Sequence, residues 1–330
     1  MSQPPVDATI TIVSFNTREK LADCLQSVFD TTPGLRLEVI VIDNGSRDGS
    51  VEMVRERFPQ VTVIATGQNL GFGRAHNLGM RQAGGRYLIV LNPDTLLLER
   101  TIQRQLEFMD SAPDAGACGC TVLDATRALA PSGHRDFTLL SLAANVFNLR
   151  AVLPRDEWLR RRAGRWLGRV HGAYHPHDAV RRVDWVDGAC IVVRREVYDK
   201  VGGFDEGIFL NAEDFDWCFR MRQAGWHIYH VPDVALVHLM HQSKEQVYVP
   251  SFVSSYQSFL YLFHKHKGRP AYLALKAVMV AGFSWRLLLA TLRARLSPRD
   301  GASRNRDALA AALRMAATYD PARQASTSGW

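Results

Sequence analysis

The sequence predicts an α/β protein, a mostly parallel sheet with helices on both faces, followed by a helical C-terminal appendage. Three observations predict it. Short apolar runs in the first 91 residues alternate with segments of helical spacing, the rhythm of strands joined by crossover helices. Two of those runs, Val39-Ile40-Val41-Ile42 and Tyr87 to Leu91, are continuously apolar, as strands covered on both faces are. Past residue 244 apolar residues fall at helical spacing instead.

The elements follow in order. Ile10 to Val13 reads as a strand, and Thr17 to Asp30, with apolar positions 21, 25, 28 and 29, as a helix. Val39 to Ile42 is a second strand, ending in Asp43-Asn44-Gly45-Ser46; Ser50 to Phe58 is helical and Pro59 stops it. Val61 to Ile64 is a third strand, Gly71 to Ala83 a helix stopped by Gly84-Gly85, and Tyr87 to Leu91 a fourth strand, with a further helix starting near Leu98. After Asp114 the alternation weakens into a polar stretch and an arginine-rich region, the signature of a long functional connection. Regularity returns with Val183 to Ala189, a strand and turn, then Ile191 to Val193. Glu213 to Ala224 is a helix closed by Gly225, and Trp226 to Tyr229 and Val234 to His238 are two short strands. Helices over 252–263 and 272–296 are separated by Gly268-Arg269-Pro270.

With 330 residues, 47% hydrophobic and 22% charged, the chain buries a large core, which excludes a disordered or collagen-like protein. Five cysteines without a CxxC pair argue against a disulfide framework or structural zinc and for a reducing compartment. The N-terminus does not read as a secretory signal, and no segment reads as a membrane span, since Lys276 and Arg286 interrupt the apolar stretch that contains them. The expected location is the cytoplasm, with attachment to the inner face of the cell membrane left open. The net charge of +7 concentrates between Arg150 and Arg182 and between Arg286 and Arg306. Without aromatic interleaving or a helix-turn-helix pattern, these segments do not predict nucleic-acid binding. The first could grip a lipid diphosphate or a polyanionic glycan; the helix around Lys276 to Leu296 could lie in a bilayer interface or pack across a homodimer.

In parallel sheets ligands sit beyond the carboxyl ends of the strands, and those ends here are rich in Asn, Asp and Gly. Asp43 is placed to accept from a ribose hydroxyl or a base N–H, or else to cap the next helix through its turn. Asn69-Leu70-Gly71-Phe72-Gly73 opens a helix, where two glycines allow close approach of a diphosphate, although the spacing is not the dinucleotide fingerprint. Asp94, after Asn92-Pro93, is a hard-oxygen corner for Mg²⁺ or Mn²⁺ completed by phosphates, or an N-cap worth about 1 kcal/mol. Glu213, Asp214 and Asp216 share one helical turn, which the helix dipole stabilises by about 0.3–1 kcal/mol each. The apolar lead-in Gly207 to Leu210 instead places them at the floor of a dry pocket, where one carboxylate serves as general base, worth about 10²–10⁴ in rate. Asp214 and Asp216 cannot both face the site. His238, followed by His241 and Ser243, is either a packed histidine or a metal ligand beside Asp94.

In order, Ile12-Val13-Ser14-Phe15-Asn16, Val41-Ile42-Asp43-Asn44-Gly45-Ser46, Asn69-x-Gly71-Phe72-Gly73-x-Ala75-x-Asn77-x-Gly79, Leu91-Asn92-Pro93-Asp94, Gly188-Ala189 with Arg194-Arg195, and Gly202-Gly203-Phe204-Asp205-Glu206 before Glu213-Asp214-x-Asp216 resemble the inverting family-2 glycosyltransferases of GT-A fold, in their rhamnosyltransferase branch. The resemblance runs from residue 10 to about 243. It implies a GT-A domain over 1–243, with a basic insertion near 145–182, and a helical region over 244–330. It further implies a nucleoside-diphosphate sugar donor (dTDP or UDP), contacted by Ser14, Asn16, Asp43, Asn69, Gly71 and Asn77. The metal ligands would be Asp94 and His238, the catalytic base Asp214, and the sugar or acceptor contacts Asn92, Gly188, Glu213 and Trp185. The implied reaction is a single displacement, most specifically of L-rhamnose from dTDP-rhamnose onto a glycan or lipid-diphosphate-linked glycan in cell-surface polysaccharide synthesis. A galactofuranosyl or hexosyl transferase using a UDP-sugar is the alternative within enzymes, and a nucleotide- or sugar-binding protein without turnover the alternative outside them. No Q-x-x-R-W motif occurs, which implies one sugar per encounter. Two positions depart from the pattern: Asn211 where the family often has an aromatic, and His241 where it has glycine.

Overall fold

The computed structural model describes residues 6–149, 178–239, 248–296 and 302–321. The chain divides into two compact units. The first comprises Met1–Arg135, Tyr174–Phe209 and Glu213–His241, and the second Asp136–Ala173, Leu210–Ala212 and Gln242–Trp330.

In the first unit, β1 (Ala8–Ser14), β2 (Leu37–Asp43), β3 (Thr62–Ala65) and β4 (Tyr87–Leu91) lie parallel in the order β3-β2-β1-β4. They are connected through α1 (Arg18–Thr31), α2 (Ser50–Arg57) and α3 (Phe72–Gln82). Every residue of β1 and β4 is buried, which is what continuous apolar strands under two helical layers require. Leu21, Leu25 and Val28 bury the inner stripe of α1 as its spacing predicts. The chain leaves β1 toward one edge of the sheet and β3 toward the other, so the order reverses between β1 and β4. A crevice opens at the carboxyl ends of strands at such a point.

Beyond β4 the sheet becomes mixed: β5 (Thr95–Leu97), α4 (Thr101–Ser111), β6 (Ala115–Leu123), β7 (Leu129–Ala130), β8 (Gly133–His134), then β9 (Arg181–Val183), β10 (Trp185–Val186) and β11 (Cys190–Arg194). β11 runs antiparallel between β4 and β6, and β8 pairs β10 in a separate ribbon. The long connection expected after Asp114 is therefore wrong at its start, because β6 is a central buried strand. Its run of Ala, Gly and Cys hides it from a β-branched reading. These small residues answer to close neighbours: a Cβ on Gly116 would lie 2.6 Å from Trp226 Cβ, and one on Gly119 2.7 Å from Val186 Cβ. α6 (Arg195–Val201) and α7 (Glu213–Gln223) follow. The two short strands expected around Pro232 are one, β12 (His227–His238), with a register shift between Val231 and Ala235 that absorbs the proline. Arg194 and Arg195 donate to the carbonyls of Met109, Ala112 and Ala115, and of Ala83 and Gly85, tying loop ends to the sheet.

The second unit holds α5 (Leu139–Val146), opened by a capping box between Thr138 and Ser141, α8 (Tyr248–Leu296) and α9 (Ala302–Thr318). α8 begins earlier than expected, and its break is Gly268 (φ 79°), a backbone state that favours glycine. Leu142, Val146, Tyr256, Leu260, Phe263, Leu275, Met279, Phe283, Leu309 and Ala312 form its core. The expectation that no segment is apolar enough to span is corrected: Val249–Leu292 is long and apolar enough to cross a membrane by length and composition. Lys276 lies inside this segment and its ammonium donates to Tyr319 O. Leu273, Trp285, Leu288 and Leu292 are exposed on the same helix.

The arginine cluster from Arg150 to Arg169, with His241, Ser243 and Arg299, lies outside the described residues. Arg181 and Arg182 pair with Asp178 and Asp114, both at 2.7 Å. All five cysteines are buried thiols.

Candidate active site

Three groups of residues meet at one end of the sheet. The first is built by β1 and β2, which finish in register at Ser14 and Asp43. Asp43 is 4% exposed; its Oδ2 accepts the Ser46 N–H at 3.1 Å, while its buried Oδ1 has no hydrogen-bond partner. A buried carboxylate oxygen left bare costs about 1–3 kcal/mol, and a ligand N–H or O–H would recover it. The capping alternative fails, since α2 starts from Gly49 in the left-handed region without a side-chain cap. Ser14 Oγ shares a hydrogen bond with Thr17 Oγ1, and its carbonyl accepts from Asn44 N–H. Asn16 ties the loops after β1 and β2 together: its N–H donates to Ser46 Oγ and its Oδ1 accepts from Arg47 N–H. Asn69 Oδ1 accepts from Asn44 Nδ2 and Gly71 N–H, both at 2.9 Å.

The glycine and asparagine of the following helix need correction. Gly71 (φ 83°) is approached by protein: a Cβ there would lie 2.6 Å from Phe209 O, whose carbonyl accepts the Phe72 N–H. A Cβ on Gly73 would meet Phe204 at 2.9 Å. Asn77, expected at the nucleotide, has its amide engaged by protein groups. Its amide accepts from Phe204 N–H and donates to Phe204 O, both at 2.9 Å, and to Glu206. These residues clamp the 204–209 turn onto α3.

The second group follows β4. Pairing of β5 with the end of β12 sets His238 opposite Thr95, and Leu239 N–H donates to Asp94 O. Asp94 Oδ1 and His238 Nε2 are thereby 3.0 Å apart, with side chains 16% and 15% exposed. Burial pushes the Asp94 carboxyl up, but the hydrogen bond and charge of His238, with Lys20 farther off, outweigh it and hold it below the usual carboxylate range. Asn92 Nδ2 lies 3.4 Å from His238 Nε2, and its buried Oδ1 has no hydrogen-bond partner. Asp94 caps no helix; α4 begins at Thr101 behind Arg100. Among the described residues no three His, Cys, Asp or Glu side chains form a ready metal cage. A carboxylate, an imidazole and an unsatisfied amide oxygen nonetheless fit a hard divalent ion that keeps its other positions for phosphate and water.

The third group is the first turn of α7. Asp214 Oδ2 accepts the Gly188 N–H at 3.0 Å and Oδ1 its neighbour Phe215 N–H at 2.8 Å. Burial, then the charge of Asp187, push its carboxyl up to about 6 against these two donors. Asp216 is fully buried and paired with Arg220 at 2.7 Å, which leaves Asp214 as the acid at the site. Glu213 and Trp185 are 6% and 8% exposed, so both build walls and offer little surface to a sugar. Trp185 stacks on His134 with ring centroids 4.0 Å apart and donates to Arg135 O. Ile208 in the lead-in is buried as expected, whereas Phe209 is 38% exposed.

The second and third groups are neighbours. Asn92 N–H donates to Ala189 O at 3.1 Å and Leu91 pairs Cys190, so the segment carrying Asp94 leaves beside the Gly188 that holds Asp214. Ile12 pairs Leu91, which brings the Ser14 and Asp43 ends alongside. Two residues here were not singled out from the sequence. Asp187 Oδ1 lies 3.1 Å from His134 Nε2, 53 positions away in sequence, and the antiparallel pairing of Trp185 with His134 brings the two together. No short motif signals such a pair.

The profile described as Glycosyl transferase family 2 matches residues 9–202, more than half of the chain. An N-acetylglucosaminyl-diphospho-decaprenol L-rhamnosyltransferase of Mycobacterium tuberculosis is 29% identical over 244 residues, covering 70% of this chain and 76% of that protein. Rhamnosyltransferase WbbL of Escherichia coli is 26% identical over 192 residues, covering 55% and 66%. Among solved structures, the mannosyltransferase PcManGT from Pyrobaculum calidifontis in complex with GDP-Man and Mn²⁺ superposes with a TM-score of 0.57 at 18% identity, covering 96% of this chain and 88% of that one. GalNAc-T7 with UDP, GalNAc and Mn²⁺ gives 0.53 at 16% identity, covering 72% and 44%. The fold is GT-A.

Proposed function

The chain belongs to glycosyl transferase family 2, and from that premise we propose that it moves one sugar, with inversion, from a nucleoside-diphosphate donor to a hydroxyl of a glycan or lipid-diphosphate-linked glycan. The donor proposed is dTDP-L-rhamnose, which the names of two relatives support; a UDP-hexose or UDP-galactofuranose is the alternative. The observation that carries the reading is the convergence, at one sheet end, of a bare buried carboxylate oxygen on Asp43, the Asp94–His238 pair, and Asp214 with its raised proton affinity.

In this mechanism Asp43 Oδ1 accepts the imide N–H of the base, while Ser14, Asn16 and Asn69 keep its loops in place. Asp94 and His238, with Asn92 Oδ1 alongside, would hold Mg²⁺ or Mn²⁺; the Mn²⁺-bound structural relatives support that choice. When bound, the ion supplies positive charge that neutralises the diphosphate. Asp214 is the general base. As the acceptor oxygen forms its bond to the anomeric carbon, its proton passes to Asp214 and the bond to the diphosphate oxygen breaks, its electron pair leaving with the diphosphate. A carboxylate that titrates near 6 is charged at pH 7 yet more basic than a surface aspartate. The Gly188 and Phe215 N–H groups aim it.

We assign residues 1–243 to sugar transfer and 244–330 to a helical region that attaches to the inner face of the cell membrane through Leu273, Trp285, Leu288 and Leu292. Homodimer formation through that same face is the second reading. Flotation of the full chain with anionic vesicles, lost in Trp285→Ser/Leu288→Ser, supports attachment; unchanged flotation with a change in oligomeric state supports the dimer. The functional test is a nucleotide-sugar screen with Mn²⁺ or Mg²⁺, reading nucleoside-diphosphate release and the anomeric configuration of the product. Turnover with an inverted product from dTDP-rhamnose is expected. Turnover only with UDP-sugars selects the alternative donor, and tight donor binding without turnover for any acceptor selects a binding protein.

A further inference from the structure

We propose that Asp187, held through its Oδ1 by the ring of His134, is a positioning residue for Asp214: the turn it begins delivers the Gly188 N–H that orients Asp214, and its carboxylate places a negative charge on that same turn. The inference rests on the reading of Asp214 as the base.

Three features of the geometry carry it. First, Asp187 and Gly188 are consecutive, and Gly188 N–H donates to Asp214 Oδ2 at 3.0 Å, so any shift of Asp187 shifts a hydrogen bond to the reacting carboxylate. A Cβ on Gly188 would lie 3.6 Å from Asp214 Oδ2, in ordinary van der Waals contact, so the turn and the carboxylate are immediate neighbours. Second, Asp187 is fixed from two sides. Its N–H donates to Ser132 O at 3.2 Å and its carboxylate meets His134 Nε2 at 3.1 Å. The His134 ring lies against Trp185 with 15° between planes, and Trp185 in turn meets Phe215, the residue after Asp214, edge-on. An exposed Asp–His pair would gain little; this one has side chains only 33% and 16% exposed and sits on a stacked indole.

Third, the surrounding charges are committed elsewhere. On α7 Arg220 pairs with Asp216 and Arg222 with Asp184, while Glu213 and Cys218 on that helix and His230 on β12 are buried. Among the described residues, Asp187 and His134 act on Asp214 electrostatically from across the turn. Their effects have opposite sign: the Asp187 charge raises the affinity of Asp214 for a proton and the His134 ring lowers it. A base that must be charged to act yet strong enough to take a hydroxyl proton is tuned by such an opposed pair.

The test is the pH profile of kcat for the full chain with saturating donor, metal and acceptor. In the parent, activity falls as pH drops through about 6, where Asp214 takes a proton. Asp187→Asn keeps a hydrogen-bonding group for His134 but removes the charge. Its acidic limb should move to lower pH by roughly half a unit to one unit, with the plateau lowered about three-fold and the donor KM unchanged. Asp187→Glu should restore the limb, and His134→Gln should move it upward. A limb that stays put in both Asp187→Asn and His134→Gln, or a change confined to KM, overturns the proposal. If Asp187→Asn does not fold, His134→Gln decides alone by the direction of its limb. Asp214→Asn separates the two levels: retained turnover there defeats the base itself, whereas lost turnover with unmoved limbs in the other variants defeats only the role of Asp187.

Discussion

Asp214→Asn separates what Asp214 does for catalysis from what it does to the fold. Burial and the neighbouring charge raise its carboxyl from 3.8 to about 6, so the folded chain prefers the protonated form. The sign follows from linkage. Such a group contributes nothing against folding below pH 4, costs progressively more between pH 4 and 6, and imposes its full cost above 6. A difference of about two pH units is worth up to about 3 kcal/mol; because Asp214 keeps part of its surface open to solvent, about 1–3 kcal/mol is expected. Asparagine is uncharged at every pH and its carbonyl can still accept the Gly188 N–H. Asp214→Asn should therefore be more stable than the parent at pH 8, by roughly 2–6 °C in Tm for a chain of this size, with the gain shrinking toward zero near pH 4.5. Turnover should fall by about 10²–10⁴ while donor affinity holds. The assay pairs melting curves at pH 4.5, 6 and 8 with calorimetric donor titration and diphosphate release. A variant less stable than the parent at pH 8, or a Tm difference that does not depend on pH, refutes the account of a strained, buried carboxylate.

The remaining expectations concern the other residues of the sheet end. Asp43→Asn should weaken nucleoside-diphosphate binding by about 1–3 kcal/mol in calorimetry and leave Tm nearly unchanged, because the Ser46 N–H keeps an acceptor while Oδ1 loses its charge. Asp94→Asn and His238→Gln should each weaken Mn²⁺ binding by 10-fold or more, roughly, read by metal titration in the presence of the nucleoside diphosphate; unchanged metal affinity in both would remove the pair from the metal site. Asn77→Ala should cost about 1–3 kcal/mol of stability in denaturant unfolding, with donor affinity of the folded fraction preserved, since its amide holds Phe204. A selective loss of donor affinity would instead return Asn77 to the nucleotide site.

Parallel strands with apolar runs, the acids that follow them, and the order of short motifs were legible in the residues alone because each depends on local pattern: β-branched runs, turn residues and helix stops. Asp43 and Asp94 could be picked out as residues just past buried strands, and Asp214 as one of three acids in a helical turn. The choice of Asp214 over Asp216 belongs to tertiary structure, since only the fold buries Asp216 against Arg220 and opens Asp214 toward the sheet end. Small-residue β6 escaped pattern because its reason for being Gly, Ala and Cys is the bulk of Trp226 and Val186, which arrive from elsewhere in the chain. For the same reason Gly71 and Asn77, whose motif suggested phosphate, turned out to serve the 204–209 turn. Asp187 and His134 meet through a two-residue strand pair, and the proton affinity of Asp214 depends on burial and on charges far apart in sequence. Local pattern marks the apolar strands and the residues at their ends; long-range packing alone decides which of those residues face one another, because distance through space, not along the chain, sets hydrogen bonding and charge.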